Sequence, residues 1–201
     1  MKDVILTLQH IINSKNNLKY LNLLLLLLLT HSGFSQNGML PLDEKKNATY
    51  TDKASPQKPK AELYKAAQSW VGKVFGNYEN AVTKQDPETG LLVINTYIPA
   101  KTKLYDYIRF DLTIVCTDNH YEAHITRLDG TAQHRSPTRL GINENNLVTE
   151  KEMAVKTENN RKKRAEAEEN LENARIDNEI INAAMYNVLG SLKEHMSQKL
   201  Q

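Results

Sequence analysis

The sequence predicts an α+β domain: a four-stranded antiparallel sheet with an N-terminal and a C-terminal helix packed on one face. Three observations carry this. Residues 108–114 alternate apolar and polar, apolar side chains at steps of three and four precede that strand, and a second such stripe closes the chain.

The first helix begins at Ala61, where Leu63, Ala67, Trp70, Val71, Val74 and Phe75 recur at helical spacing until Gly76 stops the run. Residues 81–85 and 91–98 read as strands joined by the turn former Asp86-Pro87-Glu88-Thr89-Gly90. A second pair, residues 105–116 and 121–128, turns through Asp118-Asn119. In its first member Ile108, Phe110, Leu112, Ile114 and Cys116 share one face, and Arg109, Asp111 and Thr113 share the other. An antiparallel sheet of this kind covers its core on one side and leaves the other to solvent or a partner.

Order fades beyond residue 128. Residues 129–150 hold Gly130, Pro137, Gly141 and several asparagines and read as a loop. Residues 151–170 are dense in charge, with Glu152–Lys156 and Glu158–Lys162 at helix-supporting spacing, and fit either a solvated helix or a fluctuating segment. Ile181, Met185, Val188, Leu189, Leu192 and Met196 then form the apolar stripe of a terminal helix, so residues 151–201 complete the domain begun at residues 61–128.

The N-terminus is of a different kind. Residues 23–29 are all leucine, between Lys15 and Lys19 on one side and His31, Ser32 and Gly33 on the other. The run is too short for a spanning helix, which needs about 20 apolar residues, and its flanks have the layout of a secretory signal peptide over residues 1–35. Gly33 and Ser35 supply the small side chains a signal peptidase accepts, so cleavage is expected between Ser35 and Gln36, with release to the periplasm or the extracellular space. The lone cysteine, Cys116, lies far from that point and provides no lipid anchor there. Residues 36–60, with Pro41, Pro56 and Pro59 among polar side chains, read as a disordered tether.

Charge excludes one function class. The leader removes Lys2, Lys15, Lys19 and Asp3, which brings the 26 basic and 24 acidic residues of the chain into balance. A nucleic-acid binder normally carries a basic excess.

Candidate chemistry is sparse. His120 and His124 share a strand face, with His134 soon after, but residues four apart on a strand are separated by about 13 Å and do not chelate one ion directly. Asp111 beside Arg109 suits a surface ion pair better than acid–base work. Ser69, Ser136 and Ser191 lack the glycine-flanked setting of a nucleophile, and no phosphate-cradling glycine loop occurs. Cys116 reads as a small buried hydrophobe. Arg161-Lys162-Lys163-Arg164 forms a basic cluster that would suit an acidic surface or a lipid headgroup, yet Glu166, Glu168 and Glu169 follow it and favour a solvated helix. No residue is therefore assigned a catalytic, cofactor-binding or metal-binding role, and no cofactor is expected.

Residues 63–128 resemble an uncharacterised family of exported Bacteroidetes proteins, a domain of unknown function described as having a TBP-like fold. The resemblance is carried by Tyr64, Ala67 and Trp70 of the first helix, by the hairpin turn of residues 85–90, by residues 108–114 of the alternating strand, and by the turn Thr117-Asp118-Asn119-His120-Tyr121. It implies a fold and no site residues, and function belongs to sites rather than folds.

The reading that follows is a non-catalytic envelope module, not an enzyme, that binds an unknown protein or small ligand and has no membrane span in its mature chain. Two alternatives stand beside it. The terminal stripe from Ile181 to Met196 could join two copies, or the polar sheet face with Arg109, Asp111, His120 and His124 could bind a small ligand or catalyse a reaction.

Overall fold

The computed structural model describes residues 38–198. The leucine run and the expected cleavage point lie outside the described residues, among which no helix is long and apolar enough to cross a membrane.

An antiparallel sheet of six strands forms the middle of the domain. The chain enters it through β1 (Tyr50–Ala54), leaves for helix α1 (Lys60–Phe75) and the single turn α2 (Tyr78–Ala81), and returns through β2 (Val82–Asp86), β3 (Leu91–Pro99), β4 (Tyr107–Thr117) and β5 (His120–Thr131). The short β6 (Thr138–Arg139) then leads into helices α3 (Ile142–Thr157) and α4 (Arg161–Ser197). The strand order is β1-β5-β4-β3-β2, with β6 also on β5.

The alternation of residues 108–116 is what builds the core. Ile108, Phe110, Leu112, Ile114 and Cys116 of β4 meet Leu92 and Ile94 of β3 and Tyr121, Ala123 and Ile125 of β5 on one buried face. Leu63, Ala67, Trp70 and Val71 of α1 lie against it beside the apolar stripe of α4. Both helices thus cover the same face, as the sequence predicts. Trp70 Nε1–H donates to Ser191 Oγ at 2.8 Å, which ties the two helices together and explains a serine the sequence left without a role.

Several boundaries depart from expectation. The sheet has six strands rather than four, because the segments read as a tether and as a loop each supply one. Within the supposed tether of residues 36–60, β1 pairs with β5 from Tyr50↔Ile125 to Ala54↔Tyr121, and Leu40, Ala48 and Tyr50 are buried. A strap of residues 38–42 is held by amides from the far end of the chain: Asn145 bonds both the N–H and the C=O of Leu40, while Asn178 and Asn182 donate to the carbonyls of Gly38 and Met39. Composition suggested disorder, but three buried side chains and these long-range bonds offset the ordering entropy.

Residues 129–150 are likewise not a continuous loop, since β5 runs to Thr131, β6 pairs Asp129↔Arg139 and Gly130↔Thr138, and α3 starts at Ile142. A bulge opposite the Arg109–Asp111 step, with Arg127 at φ 54, breaks the alternation there and hides the strand from a period-two reading. The charged stretch 151–170 is helical on both sides of a turn at residues 158–160. Asn160 caps α4 by accepting from the N–H groups of Lys162 and Lys163, so the terminal helix begins twenty residues before its apolar stripe.

Candidate functional site

The face of the sheet opposite the helices carries polar side chains from β1, β3, β4 and β5. Toward its β1 edge, His120, Glu122 and His124 point the same way from β5 because they are two residues apart. Glu122 Oε1 lies 3.4 Å from His120 Nε2, and Oε2 lies 3.3 Å from His124 Nε2. The neighbouring β1 completes the cluster: Lys53 Nζ donates to Glu122 Oε1 at 2.8 Å, Thr51 Oγ1 is 3.2 Å from His124 Nδ1, and Ser55 Oγ is 3.3 Å from His120 Nδ1. The carboxylate bridges the two imidazoles, and both rings are bonded through both nitrogens.

The Lys53 ammonium first, and then the imidazoles of His124 and His120, hold the Glu122 carboxyl down to about 2 from its ordinary 4.5. A carboxyl depressed in the folded state favours folding above its unfolded value, and that contribution disappears as pH falls from about 4.5 toward about 2. Urea unfolding at pH 5 and at pH 3 should therefore show a loss of stability on acidification that is smaller in Glu122→Gln than in the wild type. Equal losses in both proteins would remove Glu122 from the account of how β1 is held.

The other predicted residues go to separate places. Asp111 accepts from Asn95 Nδ2 at 2.6 Å and pairs with Arg127 at 3.4 Å. Arg109 does not pair with Asp111: its Nη2 reaches Asp129 Oδ2 at 2.7 Å, while Arg139 Nε reaches the other oxygen at 2.6 Å. Asp129 is largely buried, and that burial works against its charge, but the two guanidiniums prevail and lower its pKa. His134 sits exposed in the β5–β6 connection at φ 64. Ser69 and Ser136 are exposed, and burial pushes the Cys116 thiol up to about 11, which keeps it protonated and unreactive. Among the described residues, no group of His, Cys, Asp and Glu is arranged to hold a metal ion.

The more open feature lies at the edge of β3, where sequence reasoning placed nothing. β2 pairs with β3 only from Leu91 to Ile94, so the stretch from Asn95 to Pro99 is flanked by β4 alone. Gly90 C=O accepts from Cys116 N–H on β4, and Val93 C=O accepts from Thr83 Oγ1 on β2. The strand's alternation then turns the N–H and C=O groups of Asn95 and Tyr97 toward the uncovered edge. Beside that edge is a cavity of about 580 Å³, walled by Val74 and Phe75 of α1, by Asn80 and Ala81 of α2, and by β3 with Arg109. Tyr97 is 66% exposed there and packs edge-on against Tyr107, with ring centroids 5.8 Å apart. No residue type announces this site; it exists because β2 is shorter than β3.

Residues 50–130 match a family model described as "Domain of unknown function (DUF4468) with TBP-like fold". A DUF4468 family protein from Bacteroides ovatus shares 13% identity at a TM-score of 0.40, over 50% of this chain and 64% of that one, so the chain spans just under two thirds of that protein's length. A TBP-like protein from Parabacteroides distasonis shares 12% identity at a TM-score of 0.48, over 76% of this chain and 96% of that one. No curated protein matches.

Proposed function

We propose, from the premise that residues 50–130 form a domain of this family with a TBP-like fold, that the chain is an exported, non-catalytic binding module that receives an extended peptide along the uncovered edge of β3. One observation carries the reading: the outward N–H and C=O groups of Asn95 and Tyr97 lack a strand opposite them and lie beside a cavity of about 580 Å³. An added strand would satisfy those groups. Its alternate side chains would fall toward Val74 and Phe75 on one side and toward Tyr97 and Arg109 on the other.

Two further facts support a binding role over the alternatives. The imidazoles, carboxylates and guanidiniums of the polar face are occupied with one another, so they fix strand register. The terminal stripe packs on the sheet: Met185, Leu192 and Met196 have no exposed surface, which supports a cover for the core over a seam between copies.

The test is selection from a library of short random peptides, followed by titration of the enriched ones against the wild type and Tyr97→Pro. Proline removes the outward N–H and leaves the β3–β4 ladder intact. Loss of one such bond should weaken binding about tenfold. Equal affinity for both proteins, or the absence of any enriched peptide, rules the reading out.

A further inference from the structure

Independently of the β3 groove, we propose that the helical arm formed by α3 and α4 docks by its tip on an anionic lipid surface. The arm is a hairpin turning at residues 158–160, and α4 buries no side chain from Arg161 to Asn173, the first buried residue being Ala174. At 1.5 Å per residue this free portion reaches roughly 20 Å from the covered sheet. At its end stand Arg161, Lys162, Lys163 and Arg164, all exposed, and of these only Arg164 makes an ion pair among the described residues, with Glu168 at 3.2 Å.

This placement runs against helix electrostatics. The first turn of a helix is its positive end and favours carboxylates, yet the first turn of α4 contains no acidic residue. The backbone does not attract an anion there either, since the Asn160 cap occupies the N–H groups of Lys162 and Lys163. Lys156, at the end of α3, adds to the positive charge, whereas Glu158 accepts from Asn160 N–H at 2.7 Å within the turn. Glu166, Glu168, Glu169 and Glu172 lie behind, centred roughly 10 Å further along the axis. That exceeds the Debye length of about 8 Å at physiological ionic strength, so a surface meeting the arm end-on experiences Arg161, Lys162 and Lys163 more strongly than the carboxylates behind them, Arg164 being paired with Glu168.

Geometry selects a surface over a small anion. Four successive residues at about 100° per residue encircle the helix and cannot converge on one phosphate, but a plane of headgroups can meet them together. Each Lys or Arg near such a surface raises partition about fivefold.

The experiment partitions the full chain between buffer and vesicles of phosphatidylcholine, with or without phosphatidylglycerol; the uncharged vesicles register any insertion through the leucine run. The wild type should prefer the anionic vesicles, added salt should abolish the preference, and Lys162→Gln/Lys163→Gln should lower anionic partition about 30-fold. Arg161→Gln/Lys162→Gln should give the same loss. No preference for anionic vesicles, an unchanged preference in both variants, or binding of inorganic pyrophosphate without vesicle preference would each overturn the proposal.

Discussion

Trp70→Ala should cost about 3–5 kcal/mol of stability, the range for large aromatic truncations in a packed core. Trp70 is 1% exposed, and its ring meets Phe75 edge-on at 5.4 Å, which in turn meets Phe110 of β4 at 6.5 Å. One side chain therefore links α1, the sheet and, through its N–H on Ser191, α4. Truncation leaves a cavity that the rigid sheet cannot collapse and an unpaired serine at the rim. The thermal midpoint should fall by roughly 6–20 °C for a domain of this size. Ser191→Ala separates the two contributions: it keeps the ring and strands the indole N–H, and should cost about 1–3 kcal/mol. A Trp70→Ala midpoint equal to wild type would mean that the helices do not meet over this residue.

The elements legible in the sequence are those whose burial is written locally. Ile108 to Cys116 alternate because one β4 face meets the core over its whole length, and Trp70 belongs to a stripe one helix can bury alone. β1 has no such signature. It places Tyr50 inward at one end and has Thr51 and Lys53 facing out, and its strand partner among the described residues, β5, lies some seventy residues away. Glu122 was not singled out, although it alternates with His120 and His124 on one face, and that spacing lets its carboxylate bridge them. The β3 edge was not legible, because it follows from a register shift between Val82 and Lys84 and the late start of β2 at Val82, and neither leaves a mark in residue type.

The strap and β1 set the second large expectation. A chain beginning at Ala61, the start of the domain as sequence patterning places it, should fail to unfold cooperatively, whereas one beginning at Gln36 should do so. The shorter chain loses the burial of Leu40, Ala48 and Tyr50, the ladder over Tyr50–Ala54, and the bond from Tyr50 Oη to Asn182 Oδ1 at 2.8 Å. It also bares the β5 edge and leaves the buried amides of Asn178 and Asn182 without the carbonyls they serve. Burying Leu40 and Tyr50 contributes about 1.5–3 kcal/mol each, and each stranded amide costs about 1–3 kcal/mol. Together these approach the roughly 5–15 kcal/mol that holds an ordinary domain folded. Near-ultraviolet circular dichroism with urea titration decides the matter. A shorter chain with native dichroism and a midpoint near that of the longer one would show that β1 is an accessory to the sheet. Loss of both would show that the fold needs β1 and the strap that precedes it.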